Sequence, residues 1–286
     1  MSQPVPDDTR GIIAPGRMMR FVAFERHPAP PQLAGLVDWF WSVAWDLPRG
    51  LSHPQQVLSQ PGVNVSAGNP PPDAVAPPPG PHPLREVVTG VTTRLATRVL
   101  TGRGWNVAAK TTTGGFGAWV DDVRRLTDRA VPASEVLGPA IAGLAERCDG
   151  TPPAEVARRL GEVLAGLLAG RDPARVELAR EVGRVAGVAE RDRSVRRVEE
   201  LAALAGVSPR TLQRMFASCA GVSPAWVIRR SRLLDAAELV RAGDSVDWAA
   251  VAADLGYADQ AHLTRDFTGA LGVSPAAYAR QMKSAE

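Results

Sequence analysis

The side chains with the clearest chemical potential form two groups near the C-terminal end of the chain. They are Arg210, Gln213 and Arg214 in the first group, and Gln260, His262, Thr264 and Arg265 in the second. Arginine can donate two hydrogen bonds to guanine, glutamine can pair with adenine, and threonine can contact a base or a phosphate. On the outer face of a helix, these residue types suit the major groove of DNA.

An internal repeat places both groups in the same local context. The segment 201–226 is repeated as 251–278. The matched positions are Gly206 with Gly256 at an offset of 50 residues, and Leu212, Arg214, Phe216, Gly221, Ser223 and Pro224 with Leu263, Arg265, Phe267, Gly272, Ser274 and Pro275 at an offset of 51. The extra residue falls in the turn, where duplicated helix-turn-helix units tolerate a change of length.

The first copy has the residues that a helix-turn-helix unit needs. Gly206 suits a sharp turn, because only glycine adopts a positive φ angle without strain. Ser208 can cap the second helix, and Pro209 fits its first position. Leu212 and Phe216 are four residues apart and are predicted to anchor that helix in the core. The second copy has the same turn glycine, an aspartate as the cap and the same two anchors.

A helix of about 18 residues is predicted between the copies, over 224–241, because this stretch has no helix breaker. Such a helix could hold two recognition helices in successive major grooves. Arg229, Arg230 and Arg232 cluster on it. They are candidates for phosphate contacts, and the alternative is that they are ordinary solvated charges.

These motifs resemble the DNA-binding domain of the AraC family of transcription regulators. The resemblance covers 175–282 and is most specific in GYADQAHLTRDF, residues 256–267, and GVSPAAY, residues 272–278, while SPRTLQRMF fits the first unit. By analogy with the family, the base-reading positions are Arg210, Gln213 and Arg214, with Gln260, His262, Thr264 and Arg265. Ala261 stands where some relatives carry a polar contact residue. The resemblance also implies an N-terminal domain that dimerises or senses an effector, often a cupin-like β barrel.

The N-terminal part has the period-two patterns of strands. Alternating stretches include 62–66, 87–91 and 105–110, and tight-turn residues separate them. The segment 69–83 contains eight prolines, which predicts an extended loop. The aromatic cluster 39–41 could line a pocket for an apolar effector, or it could simply form the core of a small β domain.

The predicted fold class is therefore α+β. We expect a disordered tail at 1–19, a small, mostly β, cupin-like domain at 20–132 that senses an effector, a helical connector at 133–171 that contributes to a homodimer, and a self-contained double helix-turn-helix domain at 172–286. Within the connector, the periodicity predicts helices over 134–147 and 153–169.

Composition narrows the remaining possibilities. Lys and Arg number 33 and Asp and Glu number 30, so the net charge of +3 is weak evidence for nucleic acid. The two cysteines, Cys148 and Cys219, exclude a disulfide scaffold. None of the histidines has the spacing of a metal site, so neither a metal nor a cofactor is expected. There is no run of 18 apolar residues and no signal-peptide pattern, so we expect a cytoplasmic protein that does not contact a membrane.

The sequence thus predicts a sequence-specific transcription regulator and not an enzyme. Its expected partners are double-stranded DNA, a second copy of the chain and a small-molecule effector. Two alternatives stay open: an enzyme domain fused to a DNA-binding module, and a constitutive DNA-binding protein without a ligand. A pocket with convergent polar groups would favour the effector-responsive regulator over the constitutive protein.

Overall fold

The computed structural model describes residues 9–69, 85–241 and 247–283. The part up to Pro132 is mostly β structure and the part after it is helical, which confirms the predicted α+β class. The strands are β1 Val22–Pro28, β2 Val37–Asp46, β3 Ser52–Val57, β4 Asn64–Gly68, β5 Arg85–Thr89, β6 Ala96–Thr101, β7 Arg103–Thr111 and β8 Ala130–Pro132.

These strands form two antiparallel sheets. The larger sheet has the order β1-β2-β7-β4-β5-β8, and β3 pairs with β6 in the smaller sheet. In the larger sheet, Phe40, Val65, Val107 and Ala109 are buried in the main hydrophobic core. Because successive side chains along a strand point to opposite faces, the residues between them face away from that core.

Most of the helices after Pro132 lie where the sequence predicted them. The helices of the described chain are α1 Pro15–Met18, α2 Ala133–Leu137, α3 Leu144–Arg147, α4 Pro153–Leu168, α5 Pro173–Arg191, α6 Val198–Leu204, α7 Pro209–Ala220, α8 Pro224–Arg241, α9 Trp248–Asp254, α10 Gln260–Leu271 and α11 Pro275–Lys283. Local residues determine where α5 begins. The Asp172 side chain accepts a hydrogen bond from the Ala174 N–H, and Pro173 occupies the first helical position.

One continuous hydrophobic core joins the β-rich part to the first repeat unit. It runs from Phe40 and Val107 in the larger sheet, through Leu160 in α4 and Val182 in α5, to Phe216 in α7. A second core contains the anchors of the second unit, Leu263 and Phe267, with Leu234 from α8 and Ile13 and Leu58 from the N-terminal part. The four predicted anchors are fully buried, as expected.

The expectation of a disordered tail differs from the structure in residues 9–19. Ile13 and Met18 are buried, and the Ile13 N–H donates a hydrogen bond to the Gln56 carbonyl at 3.0 Å. The segment belongs to the fold because its apolar side chains fill gaps in the cores next to the smaller sheet. Residues 1–8 of the predicted tail, and residues 70–83 of the predicted proline-rich loop, lie outside the described residues.

The helix predicted over 134–147 is wrong as a single element. Two short helices, α2 and α3, replace it, with a 3-10 turn at Pro139–Ile141 between them. Gly138 has a φ of +80° and Gly143 a φ of +71°, and these backbone conformations interrupt the helical path. The apolar spacing that suggested one helix survives because Leu137, Ile141 and Leu144 are all buried.

Candidate nucleic-acid interface and cavity

The first repeat unit has the local geometry of a helix-turn-helix. Helix α6 ends before Gly206, whose φ of +67° makes the turn. Ser208 Oγ then accepts a hydrogen bond from the Thr211 N–H at 3.1 Å and caps α7. Leu212 and Phe216 hold the inner side of α7 in the core. The opposite side of α7 is therefore fixed in direction and available to a partner.

Three predicted site residues lie on that available side of α7. Arg210, Gln213 and Arg214 are all exposed. Among the residues that the structure describes, no carboxylate lies within ion-pair distance of Arg210 or Arg214. By contrast, Arg158 on α4 is engaged by Glu155. Two exposed cations that pair with no described carboxylate, beside a glutamine, form a surface that suits a polyanion with polar edges.

The second unit repeats the geometry with other outward residues. Asp247 caps α9, Gly256 makes the turn with a φ of +74°, and Asp259 Oδ1 accepts a hydrogen bond from the His262 N–H at 2.6 Å. Leu263 and Phe267 face inward. The structure thus gives α10 the same capped and anchored start as α7.

The predicted site residues on α10 are less uniformly exposed than those on α7. Gln260 and Arg265 are exposed, whereas His262 and Thr264 are half-buried. The His262 ring packs edge-on against Tyr257, with 5.2 Å between the ring centroids. An exposed alanine, Ala261, occupies the position that Arg210 has in the first unit, at the offset of 51. The second unit therefore offers fewer free hydrogen-bonding groups than the first.

Two of the three clustered arginines on the linker helix α8 are not available for phosphate contacts. Arg230 is buried, and its guanidinium donates hydrogen bonds to the carbonyls of Thr92 and Thr93, at 3.3 and 2.5 Å. Burial lowers the pKa of Arg230 to about 10, so the side chain keeps its charge at neutral pH. The same guanidinium lies 4.8 Å from the centroid of the Trp226 ring. Arg230 thus attaches α8 to the β-rich part.

Arg232 is also buried, and it connects α8 to both repeat units. Its guanidinium donates to the carbonyl of Leu255, just after α9, and to the carbonyl of Val195, just before α6. Arg229 is the exposed member of the cluster, and its Nε lies 3.3 Å from a carboxylate oxygen of Asp266 on α10. The linker arginines therefore set the relative placement of the two units.

The β-rich part and α5 contact the inner side and the C-terminal end of α7. Thr127 Oγ1 donates a hydrogen bond to the carbonyl of Gly221, at the end of α7, at 2.9 Å. Arg175 on α5 donates to the carbonyl of Gly117 at 2.7 Å and to that of Ser218 at 3.2 Å. A Cβ at Gly117 would come within 2.8 Å of the Cys219 backbone. These contacts leave the outer face of α7 open.

A cavity of about 410 Å³ lies on the other face of the larger sheet, where the smaller sheet covers it. Apolar and polar side chains from both sheets line it, and five of the described lining residues are cationic. The cations are Arg10, Arg26, Arg85, Arg98 and Lys110. Trp39 and Trp41 line the cavity, whereas Phe40 between them is in the core, so both interpretations of the aromatic cluster hold in part.

Several polar groups of the cavity wall are buried, which is costly unless they have partners. Lys110 Nζ lies 2.5 Å from a carboxylate oxygen of Asp38. Trp41 Nε1 donates to Asn64 Oδ1 at 3.0 Å. Asn106 is 4% exposed, and its Oδ1 has no hydrogen-bond partner among the described residues. This wall was not predicted from the sequence, although Asn64 and Lys110 alternate with the apolar residues that predicted the strands.

A buried carboxyl on α5, that of Glu190, contacts the chain just after β7, a strand that contributes Lys110 to the cavity wall. Thr113 Oγ1, just after β7, donates a hydrogen bond to Glu190 Oε1 at 2.5 Å. Burial raises the pKa of Glu190, and the positive charge of Lys110 opposes that shift. The cavity wall and the helix that packs on the first repeat unit therefore share a titratable contact.

No described helix has both the length and the apolar character needed to cross a lipid bilayer. In the same parts of the chain, no three side chains among His, Cys, Asp and Glu are grouped as metal ligands would be. Both cysteines are buried and unpaired by disulfides, and burial raises the pKa of Cys219.

Two protein-family models match the chain. A helix-turn-helix domain matches residues 201–281, and a domain of unknown function, DUF6597, matches residues 25–132. The first match spans both repeat units, and the second spans most of the strands around the cavity. None of the curated proteins matches the chain.

Several solved structures are similar to the chain. The C-terminal domain of AraT, a response regulator from Geobacillus stearothermophilus, is 29% identical over 35% of this chain and 84% of its own, with a TM-score of 0.33. ToxT from Vibrio cholerae, bound to an unsaturated fatty acid, is 12% identical over 91% of this chain and 93% of its own, with a TM-score of 0.36. The AraC-like transcriptional activator CuxR is 15% identical over 77% of this chain and 88% of its own, with a TM-score of 0.27. Because these TM-scores are low, no ligand and no residue role of these proteins is assigned to this chain.

Proposed function

We propose that this chain, which carries an AraC-type helix-turn-helix domain at residues 201–281, regulates transcription by binding specific DNA sequences and responds to a small molecule held in its β-rich part. The DNA-binding part of this proposal rests on the outer face of α7. There Arg210, Gln213 and Arg214 project from a helix whose inner side is anchored in the core. The same positions on α10 give a second, weaker reading surface.

The proposed division of labour follows from chemistry and exposure. Arg210 and Gln213, near the start of α7, read base edges by paired hydrogen bonds. Arg214 contacts a base or a phosphate. On α10, Gln260 and Arg265 make the stronger contacts because they are exposed, while Thr264 and His262 contribute through the atoms that remain accessible.

The first test concerns base preference. Selection of bound fragments from genomic DNA gives the operator, and fluorescence anisotropy then measures its affinity for the variants Arg210→Ala and Gln213→Ala. Each substitution is expected to cost about 1–3 kcal/mol and to relax preference at particular base pairs, because it removes a pair of hydrogen bonds to one base.

The matched control is Arg125→Ala, which removes an exposed arginine from the β-rich part. It should leave both operator affinity and base preference near those of the wild type. If Arg210→Ala and Gln213→Ala select the same operator with unchanged affinity, the assignment of α7 as the reading helix is wrong.

The cavity supports the second half of the proposal. Its volume of about 410 Å³ and its mixture of tryptophans with a few buried polar groups are typical of a small-molecule site. Burying polar groups in a wall costs free energy, and a constitutive DNA-binding protein does not need a ligand site that would offset this cost. The effector-responsive regulator is therefore favoured over that alternative. A fused enzyme would need a reactive group in the same cavity, and the described wall presents cations and amides that suit binding.

We also propose that the chain acts as a homodimer, because two copies would place two reading surfaces on paired half-sites and raise the affinity. In the predicted dimer segment, α4 packs on the β-rich part through Val156, Leu160 and Leu164. Its outer side carries the ion pairs of Arg158 with Glu155 and Glu162. A dimer contact through α4 would therefore be largely polar.

A further inference from the structure

The floor of the cavity, which is the cavity-facing side of the larger sheet, contains an indole ring held across the strands. Trp41 on β2 donates a hydrogen bond from its Nε1 to Asn64 Oδ1 on β4, at 3.0 Å. Because β7 lies between β2 and β4, the indole must lie across β7 to reach Asn64. The residue opposite Trp41 on β7 is Ala108, which is fully buried and small enough for the ring to lie above it. The outer face of the indole then faces the cavity that Trp41 lines.

The neighbouring indole of the floor, Trp39, is already covered by cations. The Cζ atom of Arg26 lies 4.4 Å from the centroid of the Trp39 ring, and Lys110 Nζ lies 4.9 Å from the same centroid. Cations over an aromatic ring occupy a face on which another ring would stack. Among the residues that the structure describes, no cation and no second ring lies over Trp41. Trp41 is therefore the indole of the floor that a planar ligand can reach.

A buried side-chain amide without a partner lies beside this ring. Asn106 is two residues from Ala108 along β7 and faces the same side of the sheet. It is therefore a diagonal neighbour of Trp41, with about 7–8 Å between such positions. Asn106 is 4% exposed, lines the cavity, and has an Oδ1 without a hydrogen-bond partner among the described residues. A buried acceptor in this state costs free energy unless a donor reaches it, and a ligand could supply that donor.

The smaller sheet covers the floor mainly with apolar side chains and an amide that is already engaged. Its lining residues are Gln55, Val57, Ala96, Arg98 and Leu100. Gln55 Nε2 donates to the carbonyl of Ile13 at 2.9 Å, and Gln55 Oε1 lies 3.1 Å from His53 Nε2. The amide of Gln55 therefore has partners within the fold, whereas Asn106 Oδ1 on the opposite side of the cavity does not.

We propose that the cavity binds a planar aromatic molecule that carries a hydrogen-bond donor, with its ring stacked on the outer face of Trp41 and its donor at Asn106 Oδ1. This assignment rests on the proposed effector-binding function and specifies the class of effector. Stacking selects a flat ring over a saturated ring of similar size, because aromatic pairs attract each other beyond the effect of the area that they bury. The buried amide selects a molecule that can donate, because any other ligand leaves Oδ1 unpaired.

Three neutral probes of similar size test this proposal on the full chain. The probe 2-naphthol is flat and donates a hydrogen bond, 2-methoxynaphthalene is flat but cannot donate, and decahydro-2-naphthol donates but is not flat. We expect 2-naphthol to bind at least about fivefold more tightly than 2-methoxynaphthalene and at least about threefold more tightly than decahydro-2-naphthol. Isothermal titration calorimetry measures the dissociation constants. If 2-naphthol binds no more tightly than either of the other probes, the proposal is overturned.

The variant Asn106→Leu locates the donor site. It should remove the preference for 2-naphthol over 2-methoxynaphthalene and keep the preference over decahydro-2-naphthol. Because it removes an acceptor that has no partner in the fold, it should not lower the melting temperature of the free protein. Gln32→Leu removes an exposed amide outside the cavity and should keep both preferences. An unchanged preference in Asn106→Leu, or the same loss in Gln32→Leu, overturns the assignment of the donor to Asn106.

The variants Trp41→Phe and Trp41→Leu separate stacking from the hydrogen bond of the indole. Both remove the bond to Asn64, but only the phenylalanine keeps an aromatic face. Trp41→Phe should keep most of the preference for 2-naphthol over decahydro-2-naphthol, and Trp41→Leu should lose it. Circular dichroism checks that each variant is folded. The same preference in both folded variants overturns stacking on Trp41, and the comparison of the three probes on the wild type tests the proposal even if a variant does not fold.

Operator binding, measured without any probe, separates this proposal from the proposed function. If the two preferences are present and depend on Asn106 and Trp41 while no DNA is bound, the aromatic site stands and the regulator function fails. If DNA is bound and the three probes bind equally or not at all, the aromatic site fails and the DNA-binding function stands.

Discussion

At the scale of single residues, Glu190 is a buried acid whose pKa depends on its surroundings. It is buried beside Thr113, and burial raises the pKa of its carboxyl above the 4.5 of an ordinary glutamate. In the folded state it therefore binds its proton more tightly than in the unfolded state. Glu190 therefore contributes its full stabilisation of the fold at pH values below its ordinary pKa. This stabilisation is lost as the pH rises through the raised pKa.

Replacing Glu190 with Gln should flatten this part of the pH dependence. The amide keeps an acceptor for the Thr113 hydroxyl but does not titrate. As the pH rises from 4.5, the wild type should lose up to about 1.4 kcal/mol of unfolding free energy per pH unit, and the variant should not. Urea unfolding over a pH series measures the difference. Glu162→Gln, on the exposed side of α4, is the control and should follow the wild type; parallel curves for Glu190→Gln and the wild type would contradict the assignment.

At the scale of secondary-structure elements, α8 is a brace for the two repeat units. Replacing Arg232 with Met leaves the carbonyls of Val195 and Leu255 without their donor, so we expect a loss of about 2–4 kcal/mol of unfolding free energy. Arg229→Met, three residues away, removes an exposed guanidinium whose partner Asp266 is largely buried, and it should cost less than Arg232→Met because no backbone carbonyl loses its donor. Thermal melts followed by circular dichroism measure both.

A salt series decides between a structural and a DNA-contacting role for Arg232. As a brace, the Arg232→Met variant should keep the wild-type slope of log affinity against log salt at a temperature where it is folded. A phosphate contact would instead show a wild-type melt and a slope smaller by about 0.9.

The elements that the sequence predicted well are those specified by nearby residues. The turn at Gly206, the cap at Ser208 and the anchors Leu212 and Phe216 lie within a dozen positions, so each can be recognised from its neighbours. The prediction of one helix over 134–147 was wrong because it relied on the spacing of apolar residues. Gly138 and Pro139 interrupt the helical backbone there.

The features that could not be predicted depend on contacts between distant segments. Arg230 looked like a surface charge on α8, and only the folded chain brings the carbonyls of Thr92 and Thr93 to it. The cavity wall is a similar case, because Arg26 and Lys110 are far apart in sequence and converge only through the order of the strands. The reading residues stay predictions from the repeat, since exposure alone does not show what they contact.

At the scale of the whole molecule, the shared core changes what is expected of the C-terminal half on its own. The sequence predicted that 172–286 would be self-contained. In the structure, Leu212 and Phe216 belong to the same core as Phe116 and Val123 from the β-rich part. Removing residues 1–171 would expose the inner side of α7.

We therefore expect the fragment 172–286 to be less stable than the full chain, with the loss concentrated in the first unit. Hydrogen exchange should show weak protection in α7 and stronger protection in α10. Leu263 and Phe267 keep most of their core from α8, α9 and α11, and they lose the smaller contribution of Ile13, Ala14, Leu58 and Leu95. DNA affinity should fall with the order of α7, since a recognition helix must be formed before it can present its side chains. A fragment that protects α7 as well as the full chain does would show that the shared core is dispensable for the order of α7.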